Sequence, residues 1–345
     1  MLAALVIAAG SLVTAACASP GSSAPVASIT ATGGDGGSTP ASPSPSARAV
    51  AVTGTTHVLD ISRAVSGVVT VPAGQTMTIR PGSHLRFPSG ESLLVKGTLV
   101  VAGPVTLAGP GWSGIVVARG GRLDLAQASI DGATDPITVD GAGHASLTHV
   151  TITGESSPFT VAQTGSLSLD TVTVARARAQ SSIDGDLHAT GLNYDKGAGE
   201  GFTALTGTAR ITIEKSVLHG DGPSTGDMLS MRSGDSLTVT ATEITGAHCA
   251  FHLIGLNSLA LDHANIHGNS YGFMMYQTSA AGTRVIKASD IVDNRDFGID
   301  EGSKHNTNGP ITVENSYIAR NGTDLALYTN AITVTNPATS PIPVP

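Results

Sequence analysis

Residues 122–131 read Arg-Leu-Asp-Leu-Ala-Gln-Ala-Ser-Ile-Asp, residues 144–153 read His-Ala-Ser-Leu-Thr-His-Val-Thr-Ile-Thr, and residues 166–175 read Ser-Leu-Ser-Leu-Asp-Thr-Val-Thr-Val-Ala. Laid one above another, the three segments carry apolar side chains at the second, fourth, seventh and ninth places, with small or polar residues between them. Alternation with a period of two sends the apolar set to one side of a strand and its neighbours to the other. Each segment therefore holds a first strand and, at constant offset, a second.

The pattern continues outward from this stretch. First strands are marked by Leu123/Leu125, Ala145/Leu147, Leu167/Leu169, Leu187/Ala189, Ile211/Ile213, Leu237/Val239, Leu259/Leu261, Arg284/Ile286, Ile311/Val313 and Ile332/Val334. Their starts step by 22, 22, 20, 24, 26, 22, 25, 27 and 21 residues. A βαβ unit needs roughly 30 residues, so these periods are too short for one; they fit single coils of a parallel β-helix. A third strand follows later in the coil, at Ile137/Val139, Phe159/Val161, Leu229/Met231, Phe251/Leu253, Phe273/Met275 and Leu325/Leu327. Turns such as Asp131-Gly132, Thr153-Gly154 and His267-Gly268 supply residues suited to positive φ. At Arg284 the spacing predicts a slipped register with Val285 turned inward. Asn269, Asn294 and Asn321 each lie three residues past the last apolar residue of a second strand. Stacked, their amides would hydrogen-bond along the axis as a ladder.

A solenoid follows from energetics as well as pattern. One coil buries about six aliphatic side chains, each contributing about 1.5–3 kcal/mol. Ordering its roughly 23 residues costs about 1–2 kcal/mol apiece. A lone coil loses, so only a stacked array with covered ends is stable. The expected fold is all-β: a single-stranded right-handed parallel β-helix of about ten to twelve coils over residues 50–335. Residues 50–90 are assigned to an N-terminal cap and 336–345 to a Pro-rich tail.

Composition agrees. Of 345 residues 42 are glycine, aromatics are 3 % and charged residues 13 %, the last about half the usual share. Helical bundles and two-domain α/β enzymes lose ground accordingly. The net charge is −8 with no Lys/Arg run, so nothing would displace counterions from phosphates, and no nucleic-acid partner is expected.

Residues 1–16 form an apolar run ending at Cys17. The run is too short for a stable membrane anchor but has the apolar core and small-residue exit of an export signal. Leu12-Val13-Thr14-Ala15-Ala16-Cys17 resembles a bacterial lipobox, which implies lipidation of Cys17 and anchoring outside the cytoplasmic membrane or at the cell surface. The alternative is a plain secretory signal cut near Ala16 or Ala18. Residues 17–49, rich in Ser, Pro, Gly and Ala, cannot bury enough apolar surface to offset their ordering entropy, and read as a flexible tether.

The segment Val71-Pro72-Ala73-Gly74-Gln75-Thr76-Met77-Thr78-Ile79-Arg80-Pro81-Gly82 resembles the entry to bacterial β-helix proteins of the pectin-lyase-like superfamily. Ser92–Leu99 and Gly111–Val117 resemble its first coils. The resemblance spans roughly residues 50–335 and implies fold, not reaction. Lyases of this superfamily cluster calcium-binding carboxylates beside an Arg or Lys base; hydrolases pair Asp residues with Gly-His-Gly and Arg-Ile-Lys motifs. Here Gly-His-Gly is absent, His219-Gly220-Asp221-Gly222 has the wrong order, and Arg284-Val285-Ile286-Lys287 carries an extra residue.

The remaining catalytic candidates lie on the third strands. With Phe251, Phe273 and Ile299 inward, His252, Met274 and Asp300 point outward in one column. Arg232 and the substrate-binding candidate Tyr276 sit at comparable places nearby, and Glu301, Lys304 and His305 extend the same edge. An acid, a base and a cation there are the raw material of proton abstraction or glycoside cleavage. Trp112 is the single tryptophan, so no row of rings for stacking sugars is expected. Cys249 shares parity with Phe251 and reads as a buried thiol; His248 and His252, four apart, would signal a metal only on a helix. No cofactor or metal is expected, with calcium entering only under the lyase alternative. The first functional reading is a non-catalytic surface β-helix that binds or displays toward envelope or extracellular glycans. The alternative is a polysaccharide lyase or glycoside hydrolase.

Overall fold

The aliphatic columns of the sequence become columns in space. Leu123, Ala145, Leu167, Leu187, Ile211, Leu237 and Leu259 pair in sequence order down parallel ladders. Ile130, Ile152, Val174, Tyr194, Leu218, Ile244, Ile266, Ile291 and Ile318 do the same on the second strands. The computed structural model describes residues 68–343 except Glu155, Ser156, Ser233 and Ser279, together with the backbone of strands Thr56–Leu59 and Arg63–Ala64. The apolar run 1–16, Cys17 and the 17–49 segment lie outside the described residues.

The chain is an all-β parallel solenoid, with no helix among the described residues. First and second strands share one sheet of 23 strands that bends along its length; third strands form another of 12, one per coil. The interior is a single apolar column running from Val69 to Val313.

Corners hold the sheets at an angle. Two residues after the inward end of these first strands, one residue takes positive φ: Gln127, His149, Thr171, Lys215 and His263 lie between 49° and 56°. Side chains other than glycine are strained there, and the sheet hydrogen bonds on both sides enforce the turn. At the corner before the third strands the asparagine ladder forms. The Asn269 amide nitrogen donates to Asn294 Oδ1 at 3.0 Å, and that of Asn294 to Asn321 Oδ1 at 2.9 Å.

Four expectations need amendment. Arg284 does not slip: it pairs with Leu259 and is itself the inward residue, 2 % exposed, while Val285 stays outside. The coil can swallow a guanidinium because the carbonyls of Leu256, Asn257 and Pro310 accept from it at 3.3, 2.9 and 3.1 Å. Third strands also occur at Ser181–Ile183 and Phe202–Ala204, hidden in the sequence because Ser181 and Ala204 break the apolar pairing. Leu327 is exposed, since the terminal coil has no successor to cover it. Finally, regular coils begin ahead of residue 90. Thr56–Leu59 pairs with Thr76–Ile79, and that strand pairs with Thr98–Val101. Toward the other end, the tail turns back: Ala338 N–H donates to Ser316 O, and Ile342 N–H to the Asp290 carboxylate. Trp112 packs over the first coils, fully buried and stacked on Phe87 at 4.3 Å.

Candidate functional site

Four coils exceed 22 residues, stepping 24, 26, 25 and 27; in the first two the excess sits between second and third strands, at 196–201 and 220–228. Insertions in a repeat protein leave the solenoid on one face, and here they are tied down. Lys196 Nζ donates to Gly199 O at 2.6 Å and to Thr225 Oγ1 at 3.0 Å. Ser270 Oγ donates to Pro223 O at 2.8 Å, and Asp227 N–H to Glu200 Oε2 at 2.8 Å. The longer loop thus delivers Asp227 to the head of the following third strand, Cys249–Ile254.

There the Asp227 carboxylate gathers three groups. Cys249 N–H donates to Oδ1 at 3.1 Å; His248 Nδ1 lies 3.0 Å from the same oxygen, and His252 Nδ1 2.6 Å from Oδ2. Cys249 Sγ is 3.3 Å from His248 Nδ1. Along a straight strand, residues four apart are separated by about 13 Å. His248 precedes the strand, at the corner, and the bend brings both imidazoles onto one carboxylate.

Burial pushes the Asp227 carboxyl up, but the hydrogen bonds with His248 and His252 outweigh it and hold the group well below the usual range. The same Asp227 bond raises His248 above its ordinary value against the opposing effect of burial. Burial raises Glu200, helped by the neighbouring Asp227 charge. Burial draws Lys196 down to about 8, with Glu200 and Asp227 opposing. Such a concentration of perturbed groups in one corner is the usual mark of a functional site.

Around the cluster lies a row of rings. His248 and Tyr271 are 5.3 Å apart, Tyr271 and Phe297 5.2 Å with an interplanar angle of 24°, and all three are half-exposed. The expectation that no ring row exists is therefore corrected; the count of tryptophans missed it because Tyr, Phe and His supply it from three coils. Down the middle of the third-strand face run Thr138, Thr160, Ser182, Thr203 and Ser230, paired in successive coils and leading to His252.

Of the residues singled out in the sequence, His252 joins the cluster and Tyr276 stands edge-on to it, 6.0 Å between ring centroids. Asp300 lies in the His252 column but with Met274 between them, about 10 Å away at two strand spacings. It is 7 % exposed, accepts from Gly302 N–H at 2.8 Å, and is raised by burial. Gly302, at φ +75°, lets the 301–305 loop close on Tyr276, whose ring a Cβ would overlap. Glu301 turns inward, fully buried, accepting from Tyr328 N–H, Thr329 N–H and Thr329 Oγ1. Arg232, Lys304 and His305 are exposed, and Arg232 meets Asp235 through its backbone N–H at 3.0 Å. His248 was set aside because its segment is not a helix, and Asp227, Glu200 and Lys196 were missed. The available signal was the surplus length of their two coils.

Calcium takes six to eight oxygen ligands. Asp227, His248 and Cys249, whose donor atoms lie within 4.8 Å of one another, offer one carboxylate beside an imidazole and a thiol, so this cluster does not fit calcium. Compared with protein-family models, curated proteins and solved structures, the chain matches none.

Proposed function

We propose that this protein is an exported β-helix, lipid-anchored through Cys17 and lifted from the membrane by residues 17–49, that binds extracellular or cell-envelope glycans along its third-strand face. Membership of the pectin-lyase-like superfamily is part of the same proposal. The observation that carries the reading is the row of half-exposed rings of His248, Tyr271 and Phe297, on the same third-strand sheet as a separate column of hydroxyls that leads to His252. Coils repeat every ~4.8 Å, close to the length of a saccharide ring, so a chain laid along the axis meets equivalent groups at each step. Rings offer apolar faces to sugar C–H groups while hydroxyls exchange hydrogen bonds.

Affinity electrophoresis against a panel of acidic and neutral polysaccharides tests this. Retardation by at least one glycan, reduced at least tenfold in affinity by Tyr271→Ala or Phe297→Ala, is expected; no retardation across the panel refutes the binding reading. Cys17→Ala should release the protein from the membrane fraction, and a variant that stays bound refutes the lipid anchor.

A second reading, polysaccharide cleavage, is favoured by the 2.6 Å contact of His252 with Asp227. A carboxylate that orients an imidazole is the arrangement of a general base. Under it, His252 moves the proton, Asp227 fixes the ring, and Tyr276 and Asp300 line the approach. Product release from the same panel, with and without calcium, and its loss in His252→Ala, decide between the readings.

A further inference from the structure

We infer that Asp227, His248 and Cys249 form a binding site for a borderline-soft divalent metal ion of the zinc class. The inference is independent of the glycan reading. Three donor types converge on one point: Asp227 Oδ1 and His248 Nδ1 are 3.0 Å apart, and His248 Nδ1 and Cys249 Sγ 3.3 Å apart. Bonds of about 2.0–2.3 Å at a tetrahedral ion separate ligand atoms by roughly 3.4–3.7 Å, so a few tenths of an ångström of spreading admits the ion.

Without an ion, Asp227 takes hydrogen bonds from both the His248 and the Cys249 side chains. His248 Nδ1 faces both an acceptor oxygen and a sulfur. A cation engages the three lone pairs together. On coordination the sulfur–hydrogen bond breaks, the electron pair stays on sulfur to bind the metal, and the proton leaves to solvent.

The surroundings match what a metal ligand requires. Cys249 N–H donates to the liganding Oδ1, and His252 Nδ1 holds Oδ2, so the carboxylate is oriented from both sides. Thiolate and imidazole beside a single carboxylate select zinc or cobalt over calcium and magnesium. Cys249 is fully buried whereas His248 is half-exposed, leaving the fourth position toward solvent. Three protein ligands with an open place is the form of a site that binds water or a substrate oxygen.

The test uses the full chain, stripped with EDTA and titrated with Zn²⁺ by calorimetry and with Co²⁺ by absorption, without glycan. One ion per chain is expected, with a thiolate-to-cobalt charge-transfer band and the intense visible bands of a tetrahedral centre. Cys249→Ser should abolish the charge-transfer band, and His248→Ala should weaken Zn²⁺ binding at least tenfold. His267→Ala, which removes the separate His267–Glu243 pair at 2.9 Å, should leave binding unchanged. Cys17 stays in every variant, and circular dichroism checks each fold. Absence of stoichiometric binding overturns the inference, as does a charge-transfer band that survives in folded Cys249→Ser. So does affinity undiminished in folded His248→Ala, a half-exposed position that keeps the test open if Cys249→Ser misfolds.

Discussion

Replacing Asn294 with Ala tests whether polar stacking holds the C-terminal coils together. Asn294 is 1 % exposed. Its Oδ1 accepts from Asn269 N–H at 3.2 Å and from Asn269 Nδ2 at 3.0 Å; its Nδ2 donates to Ile266 O at 3.2 Å and Asn321 Oδ1 at 2.9 Å. Each bond contributes about 1 kcal/mol net, so losing all four should cost about 4 kcal/mol. A water entering the vacated space recovers part of this, leaving about 3 kcal/mol. Asn321→Ala should cost less, about 1–2 kcal/mol, because Asn321 is half-buried and solvent can replace its partners. Urea unfolding followed by circular dichroism gives the loss. Because solenoid stability sums over neighbouring coils, amide exchange locates it: Asn269 N–H loses its acceptor and should exchange faster. The control is Thr312→Ala on the outer face of a first strand, where the change should stay within about 0.5 kcal/mol. The reasoning fails if Asn294→Ala costs no more than that control and Asn269 N–H remains as protected as before.

Three further outcomes follow from the same packing. Glu301→Ala removes three hydrogen bonds to Tyr328 and Thr329 and should cost about 3 kcal/mol, while Lys304→Ala and His305→Ala stay within about 0.5 kcal/mol; equal effects in urea titrations would deny Glu301 its clamping role. Lys196 titrates at about 8 in the folded chain, because burial disfavours its charge, and near 10.4 when unfolded. Between those values the unfolded chain holds the extra proton, so stability should rise with pH from about 8 to about 10.4, by at most about 3 kcal/mol. In Lys196→Met that rise should vanish, and a rise of the same size in the variant would assign it to another group. Lys215 is exposed with φ 49°, so Lys215→Gly should stabilise by about 0.5–1 kcal/mol once relief of left-handed strain is set against glycine entropy. The same change at Thr212, in a strand, should destabilise, and like signs in thermal unfolding would contradict the corner assignment.

The sequence by itself determined the architecture. Leu125, Leu147 and Leu169 recur at a fixed step because each must face the same interior, and a periodic requirement leaves a periodic record. Asn269, Asn294 and Asn321 were legible for the same reason, as were Cys249 and Trp112. Arg284 was not: its inward place depends on the carbonyls of Leu256, Asn257 and Pro310, which only folding brings around it. Tertiary structure alone decided the site. Asp227 meets His248 and His252 from 21 and 25 residues away, delivered by a loop whose length breaks the repeat. Stacking register fixes which strands are neighbours, but a non-periodic insertion carries no mark of where its tip will land. That is settled by the bonds of Lys196, Glu200 and Ser270 that tie it down.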